Sequence, residues 1–193
     1  MISNVKVYGL EESIRRSKFP MTIDPDKCST EVTTMTRALA SCGNGEGHDQ
    51  FLTGIIVQFD LDFTIKAWTE AERYHFFDFV SSMSTMHRIA KMDIRKQCCG
   101  YVTENTIKEV ERLRDHYLKE QNAENYLALL YNIPVGLKLT AGMTTNYRQL
   151  KTIYFQRRNH RLPEWRAFCQ WIERLPMFKE LVLEPREVKS VAA

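Results

Sequence analysis

The 193-residue chain has none of the features that mark a membrane-spanning, secreted or nucleic-acid-binding protein. No apolar run approaches the roughly 18 residues that a transmembrane helix requires. Its first residues show no basic segment followed by an apolar one, as a secretory signal would. The net charge is only +3, which is too small to indicate nucleic acid. We therefore expect a soluble, cytoplasmic protein with neither a membrane nor a nucleic acid as its partner.

Cysteine is also too sparse to predict a disulfide framework or a metal site. The five cysteines are odd in number and include no C-x-x-C pair, and the neighbours Cys98 and Cys99 cannot easily bind one metal together. We expect free thiols in a reducing compartment. A Walker loop, a G-x-G-x-x-G motif and a defensible Ser-His-Asp arrangement are all missing as well.

The composition is that of an ordinary globular protein, with 44% hydrophobic and 26% charged residues. A chain of this length is expected to fold as one domain over residues 1–193, with a core that needs no disulfide or metal. The clearest pattern is the alternation of apolar and polar residues within 51–67, which predicts a long strand with one polar face.

The remaining patterns predict an α/β fold in which a mixed sheet is flanked by helices. A first strand is predicted over 5–10 and a last edge strand over 181–183. The predicted helices cover approximately residues 30–40, 70–79, 104–119, 122–131 and 144–158, followed by a helix that begins at Pro163.

The helix predicted from Thr144 or Thr145 to Arg158 is unusually polar. Asn146 and Arg157 lie eleven residues apart in the sequence, so on a helix they would be about 20° out of line. The rigid donor fork of an arginine suits a carboxylate, a phosphate or the carbonyl edge of a pyrimidine. The other interpretation is an amphipathic helix whose polar ends are solvated or salt-bridged.

Two further polar clusters are candidates for ligand binding. His48 follows glycine-rich chain and precedes the long strand, where it could either reach a ligand or stand in water. The segment that contains Ser82, Ser84 and Arg88 could line an anion or nucleotide site. It could equally be a turn whose hydroxyls satisfy their own backbone.

Taken in order, these clusters resemble the flavin-dependent thymidylate synthases, the ThyX-like family, over roughly residues 40 to 175. The matching elements are Gly47-His48, the long strand, Pro134, the run Asn146-Tyr147-Arg148-Gln149-Leu150, Arg157 and Trp165. The resemblance implies the ThyX-like α/β fold and a homo-oligomer. It also implies a methyltransferase that acts at C5 of a pyrimidine nucleotide such as dUMP, with FAD and a folate one-carbon donor.

The resemblance also assigns roles to individual residues. Arg157 would be the catalytic residue that polarises the pyrimidine. Flavin contacts would come from Asn146, Arg148 and His48, and substrate contacts from Ser82, Ser84, Arg88 and Arg158.

The chain departs from the family at two basic positions. Phe77-Asp78-Phe79 stands where the family has Arg-His-Arg, and Leu130 stands where it has an arginine for the nucleotide. Asp78 would repel a phosphate. Two alternatives therefore stay open. One is a non-catalytic ThyX-like module that binds a nucleotide, a nucleic acid or a protein. The other is an interaction protein, of a kind that a phage or another mobile element could carry.

Overall fold

The computed structural model of the chain describes residues 1–43 and 45–184, and within this part four strands form one sheet. The strands are β1 (Ile2–Tyr8), β2 (Ile56–Thr64), β3 (Phe77–Ser82) and β4 (Lys138–Asn146), and they lie in the order β1-β2-β4-β3. The start of one strand pairs with the end of its neighbour, as in the hydrogen bonds Asp62 N to Met1 O, Ile65 N to Leu137 O and Met83 N to Thr140 O. The predicted α/β class, with helices flanking a sheet, is confirmed, and the described strand pairs are all antiparallel.

Nine α-helices accompany the sheet in the described part of the chain. They are α1 (Leu10–Arg16), α2 (Thr34–Ala40), α3 (Ile65–Ala71), α4 (Thr85–Arg88), α5 (Ile94–Gln97), α6 (Glu104–Lys119), α7 (Ala123–Tyr131), α8 (Tyr147–Arg157) and α9 (Pro163–Ile172). Short 3-10 turns cover Phe19–Met21, Pro25–Lys27, Gln50–Gly54 and Ile89–Lys91, and a π-helical turn covers Lys179–Leu183. None of these helices is long and apolar enough to cross a membrane.

The chain divides into two compact units, each with its own core. The first consists of Met1–Ser3 and Asp60–Met143, where α6 packs against α7. Its core is formed by Ile89, Met92, Ile94, Val110, Leu129 and Leu137. The second consists of Asn4–Phe59 and Thr144–Ala193, where α8 packs against α9 and against the Gln50–Gly54 turn. Its largest buried side chains include Tyr147, Trp165, Phe168 and Phe178. The expectation of one domain over the whole chain stays a prediction.

The predicted alternation holds within β2, where Val57, Phe59, Leu61 and Phe63 are buried. The strand is shorter than predicted because the Thr64 hydroxyl accepts a hydrogen bond from Ala67 N at 3.2 Å and so starts α3. The helix predicted over residues 70–79 is wrong, since α3 ends at Ala71 and Phe77 begins β3.

The helices predicted over 104–119 and 122–131, and the helix beginning at Pro163, are confirmed. The polar helix starts later than predicted, because Thr144, Thr145 and Asn146 are the last residues of β4. A strand over 181–183 is also wrong, because these residues belong to the π-helical turn.

Candidate functional site

The predicted site residues of the second unit lie at the two ends of α8 and in the segment before β2. Asn146 and Arg148 stand at the start of the helix, and Arg157 and Arg158 stand at its end. An α-helix rises about 1.5 Å per residue, so about 16 Å separates the two pairs along the helix axis. One ligand group cannot contact both ends, so a ligand that uses all four residues must be extended.

The sequence predicts a helix from Thr144 with Asn146 on one of its faces. In the structure Asn146 does not lie on a helix face. It is the N-cap of α8, with extended backbone angles, and its Oδ1 accepts a hydrogen bond from Gln149 N at 2.9 Å. The side chain is nearly buried. An N-cap oxygen satisfies one of the amides that a helix leaves unpaired at its start. The angle expected between Asn146 and Arg157 therefore does not apply, and the amide oxygen already has a structural task.

Arg148 belongs to a charged cluster that also contains Asp49 and Lys151. Its Nε donates to Asp49 Oδ1 at 2.9 Å, and its Nη1 donates to Gln50 Oε1 at 2.8 Å. Lys151 Nζ donates to Asp49 Oδ2 at 2.7 Å. Both carboxylate oxygens are thus occupied, and the three charges sum to +1.

Lys151 is almost fully buried and uses all three of its donors. Besides Asp49, its ammonium group donates to the carbonyl oxygens of Ala40 at 2.8 Å and Cys42 at 2.7 Å. It therefore ties the C-terminal end of α2 and the segment before β2 to the same point on α8. Sequence reasoning missed Asp49 and Lys151, although Asp49 follows the predicted His48 directly.

His48 is exposed, and it lies next to the buried Asp49. Asp49 fixes the backbone position from which His48 extends, because its carboxylate is held from two sides. The predicted ligand role of His48 is therefore compatible with its position, and it stays a prediction.

At the other end of α8, the Arg157 guanidinium carbon lies 5.0 Å from the centroid of the Trp165 ring. Trp165 is fully buried in α9, while Arg157 is half-buried. A cation over an indole face is attracted electrostatically by the ring. This attraction favours the observed position of the Arg157 guanidinium against Trp165.

Arg158 is exposed, and its guanidinium carbon lies 5.4 Å from the Phe155 ring centroid and 5.9 Å from that of Tyr154. The Tyr154 hydroxyl donates to Glu173 Oε1 at 2.8 Å. Burial and this hydrogen bond raise the pKa of Tyr154. The tyrosine is therefore a neutral neighbour of both arginines at physiological pH.

Cys169 is buried beside this end of α8 and is not a nucleophile at neutral pH. Its Sγ lies 3.9 Å from Tyr154 O. Burial raises the pKa of the Cys169 thiol to about 12, and Glu173 adds to the shift while Arg157 and Arg158 oppose it. A buried, protonated thiol is inert.

The substrate-binding candidates of the first unit lie within residues 82–88. Ser82 ends β3 and is exposed, Ser84 precedes α4, and Arg88 is the last, exposed residue of that helix. Ser84 Oγ lies 2.9 Å from His87 Nδ1, and the Tyr126 hydroxyl donates to Met86 O. The segment is therefore anchored, with Ser84 engaged by His87 while Ser82 and Arg88 face solvent.

Phe77-Asp78-Phe79 lies on β3, where Phe77 is buried and Asp78 and Phe79 are exposed. This stretch therefore presents no basic group to an anionic ligand. In the described part of the chain, no three His, Cys, Asp or Glu side chains come together as a metal site.

Comparison with known proteins identifies the fold. No family model matches the sequence, and no curated protein matches it. Among solved structures the chain has the fold of the flavin-dependent thymidylate synthases. Two structures of ThyX from Helicobacter pylori, both with FAD and dUMP, match at a TM-score of 0.72, with 15% and 16% sequence identity. The matches cover 94% of this chain and 99% and 100% of those chains. The predicted ThyX-like fold is confirmed.

Proposed function

We propose that this chain binds a pyrimidine nucleotide of the dUMP type together with FAD, and that it methylates C5 of the pyrimidine with a folate one-carbon donor. The observation that carries the proposal is the fold. It matches, over essentially the whole length of both chains, proteins whose structures contain FAD and dUMP. A homo-oligomer and a cytoplasmic location, where nucleotides and reduced folates are present, are part of the same proposal.

Arg157 is the residue proposed to act on the pyrimidine. Its planar fork can donate hydrogen bonds to a ring carbonyl oxygen, and its guanidinium lies against the Trp165 ring. Donors fixed in advance stabilise the negative charge that develops on the ring oxygen during reaction at C5. Arg158 would contribute a second, more exposed positive charge toward the nucleotide.

Arg148 has the donors that a flavin would need. Its Nε and Nη1 are used by Asp49 and Gln50, while its Nη2 has no acceptor among the described residues and its side chain is 38% exposed. The net positive charge of the cluster favours an anionic group. Arg148 would thus donate to a flavin oxygen, with His48 and Asn146 nearby on the same unit. When bound, the flavin supplies the hydride.

Ser82, Ser84 and Arg88 are proposed as further contacts to the substrate. Ser82 and Arg88 are exposed, and the Ser84 hydroxyl is oriented by His87. One serine, one oriented hydroxyl and one guanidinium are suited to a sugar and a phosphate.

The second candidate function is a non-catalytic module of the same fold that binds a nucleotide or another partner. The exposed Asp78 and Phe79 favour it, because they stand where the family has basic residues for flavin and phosphate. A module of this kind would bind a nucleotide without binding FAD.

Two measurements test the proposal. Titration of the purified protein with FAD should quench flavin fluorescence, and calorimetry should then detect dUMP binding to the complex. Arg157→Ala should weaken dUMP binding by about ten-fold or more, since a hydrogen bond to a charged group contributes roughly 1.5–3 kcal/mol. The cation–π contact that the variant removes contributes about 1 kcal/mol to stability.

Arg112→Ala is the matched control, because Arg112 is an exposed arginine of α6 that pairs only with Glu109 in the described structure. It should bind dUMP as the wild type does. No FAD binding, together with retained dUMP binding, would exclude the enzyme and favour the module. Unfolding of Arg157→Ala would identify a structural arginine, and Arg157→Lys, which keeps the charge and loses the fork, would then separate the two roles.

A further inference from the structure

Strand β3 is an edge of the sheet, with β4 on one side and no strand of the described residues on the other. Every residue from Asp78 to Met83 is exposed, so the described chain does not cover this stretch. Large apolar side chains are concentrated along it. The exposed ones are Phe76 (62%), Phe79 (45%), Val80 (65%), Met83 (38%) and Met86 (58%). An open edge strand with apolar side chains is a template for pairing with another strand.

The opposite edge of the sheet, β1, has features that oppose such pairing. Asn4 has a φ of 53°, which interrupts the regular ladder, and Lys6 adds a positive charge close by. Lysines and local irregularities are the devices with which edge strands commonly avoid pairing. The residues of β3 include no lysine, no proline and no positive φ, and their single charge is that of Asp78. Of the two edges, β3 is therefore the one suited to pairing.

The hydrogen bonds to β4 determine which backbone groups of β3 are available. Met83 N donates to Thr140 O at 2.9 Å, and in an antiparallel ladder every second residue bonds to the same neighbouring strand. The alternate residues, whose backbone groups point away from β4, are Asp78, Val80 and Ser82. Their N–H and carbonyl groups face the side on which the described part of the chain has no strand.

These three residues are spaced symmetrically about Val80. If a second copy runs antiparallel with its own Val80 opposite this one, all three outward-facing residues pair at once. A shift by two positions would leave outward-facing groups unpaired. In the symmetric register Asp78 stands opposite Ser82 of the second copy, so no two like charges are opposed. The strand is thus complementary to itself.

We infer that two copies of this chain associate through β3, antiparallel about a two-fold axis at Val80, so that their sheets become continuous. The inference gives the homo-oligomer of the proposed function a contact surface, and in that respect it rests on the proposed function. It does not depend on the nucleotide or the flavin. A two-fold interface uses the same surface on both copies, so a single substitution acts on it twice.

Light scattering after gel filtration of the full chain tests the association. The wild type should have a mass that is an even multiple of the chain mass. Val80→Lys should halve it, because two ammonium groups would then face each other across the axis. Val80 is 65% exposed, so the variant should keep the wild-type circular dichroism. Val5→Lys is the matched control, at an exposed valine of β1, and it should leave the mass unchanged.

Val80→Cys tests the register. Residues of a hydrogen-bonded antiparallel pair have Cα atoms about 5.5 Å apart, a separation that a disulfide can span. Oxidised glutathione should therefore convert the two introduced thiols into one disulfide, while each glutathione disulfide is reduced to two glutathione thiols. The wild type, with its five native cysteines, and Val5→Cys should form no covalent dimer in the same time.

The inference is supported if the wild-type mass is an even multiple, Val80→Lys halves it and Val80→Cys cross-links. A monomeric wild type overturns it. An oligomer whose mass is unchanged in Val80→Lys also overturns it, but leaves the proposed homo-oligomer standing on another surface. If Val80→Cys cross-links no faster than Val5→Cys, the two-fold axis at Val80 is refuted. Titration with FAD and dUMP is a separate measurement, so failure of the proposed ligands is distinguishable from each of these outcomes.

Discussion

The buried ammonium group of Lys151 provides the sharpest test of how this fold is held together. Its side chain is 3% exposed and that of its partner Asp49 is 6% exposed. Lys151→Met keeps most of the stem and removes three hydrogen bonds, to Asp49 and to the carbonyls of Ala40 and Cys42. Asp49 then retains only Arg148, which is partly in water.

The expected loss follows from the charge that is left behind. Removing one partner of a buried ion pair typically costs about 3–5 kcal/mol, because the remaining charge is desolvated without compensation. Two carbonyls lose their donor as well, although water that hydrogen-bonds to them can offset part of this loss. Arg148 still neutralises Asp49 in part, so we expect about 3 kcal/mol, a large share of the stability of a typical domain.

Urea unfolding, followed by tryptophan fluorescence and by circular dichroism, measures this loss. Lys66→Met is the matched control, because Lys66 pairs with Glu70 at 3.3 Å with its side chain 52% exposed. An exposed pair of this kind contributes about 0–1 kcal/mol. The double variant Asp49→Asn with Lys151→Met should be less destabilised than the sum of the two single variants by about 1 kcal/mol or more.

Hydrogen exchange gives a second readout of the same contact. Lys151 links α8 to Ala40 and Cys42 on one side of residues 45–48 and to Asp49 on the other. The backbone amides around these three partners should therefore exchange faster in Lys151→Met. A loss below about 1 kcal/mol, equal to that of Lys66→Met, would refute the reasoning. Such a result would mean that water reaches the ammonium group and that Lys151 does not clamp this segment.

Two further predictions concern α8 and its neighbour α9. Asn146→Ala should lower the free energy of unfolding by about 1 kcal/mol, because it removes the helix cap. Asn146→Asp should not lower it, because aspartate also caps a helix. If the stable Asp variant loses FAD binding, Asn146 has a role in ligand binding in addition to capping. The Cys169 thiol has its pKa raised from 9.0 to about 12, so the unfolded chain loses this proton first and stability falls as pH rises from 9 to 12. At about 1.4 kcal/mol per pH unit, the stability difference between wild type and Cys169→Ala should shift by a few kcal/mol over this range, and a constant difference would contradict the burial of the thiol.

Local patterns were sufficient for those elements whose burial follows a single regular period. The helices α6, α7 and α9 were predicted because apolar residues recur at helical spacing and caps or Pro163 mark their starts. The apolar alternation of β2 likewise survives in the structure. In each case one face of the helix or strand is buried and the other is exposed to solvent, so the spacing of apolar residues in the sequence reveals the element.

The strand β4 was missed because its residues do not alternate. Its sequence, KLTAGMTTN, contains one glycine and three threonines, and it is paired on both sides, by β2 and by β3. From the sequence alone the following helix is predicted to start at Thr144 or Thr145, since threonine is a common cap. Pairing with two neighbouring strands outweighed that local preference, and moved the start of α8 to Tyr147.

The sequence by itself determined the α/β class, the main helices, the order of polar clusters and the resemblance that led to the ThyX-like fold. These features depend on residues that are close together in the chain. Only the tertiary structure decided the tasks of the polar residues, because their partners are distant in sequence. Lys151 and Asp49 are 102 positions apart, and Trp68 meets the carbonyl of Leu139 across 71. No local period encodes such pairs, and they separate the cap Asn146 and the clamp Lys151 from Arg148, whose Nη2 has no acceptor among the described residues.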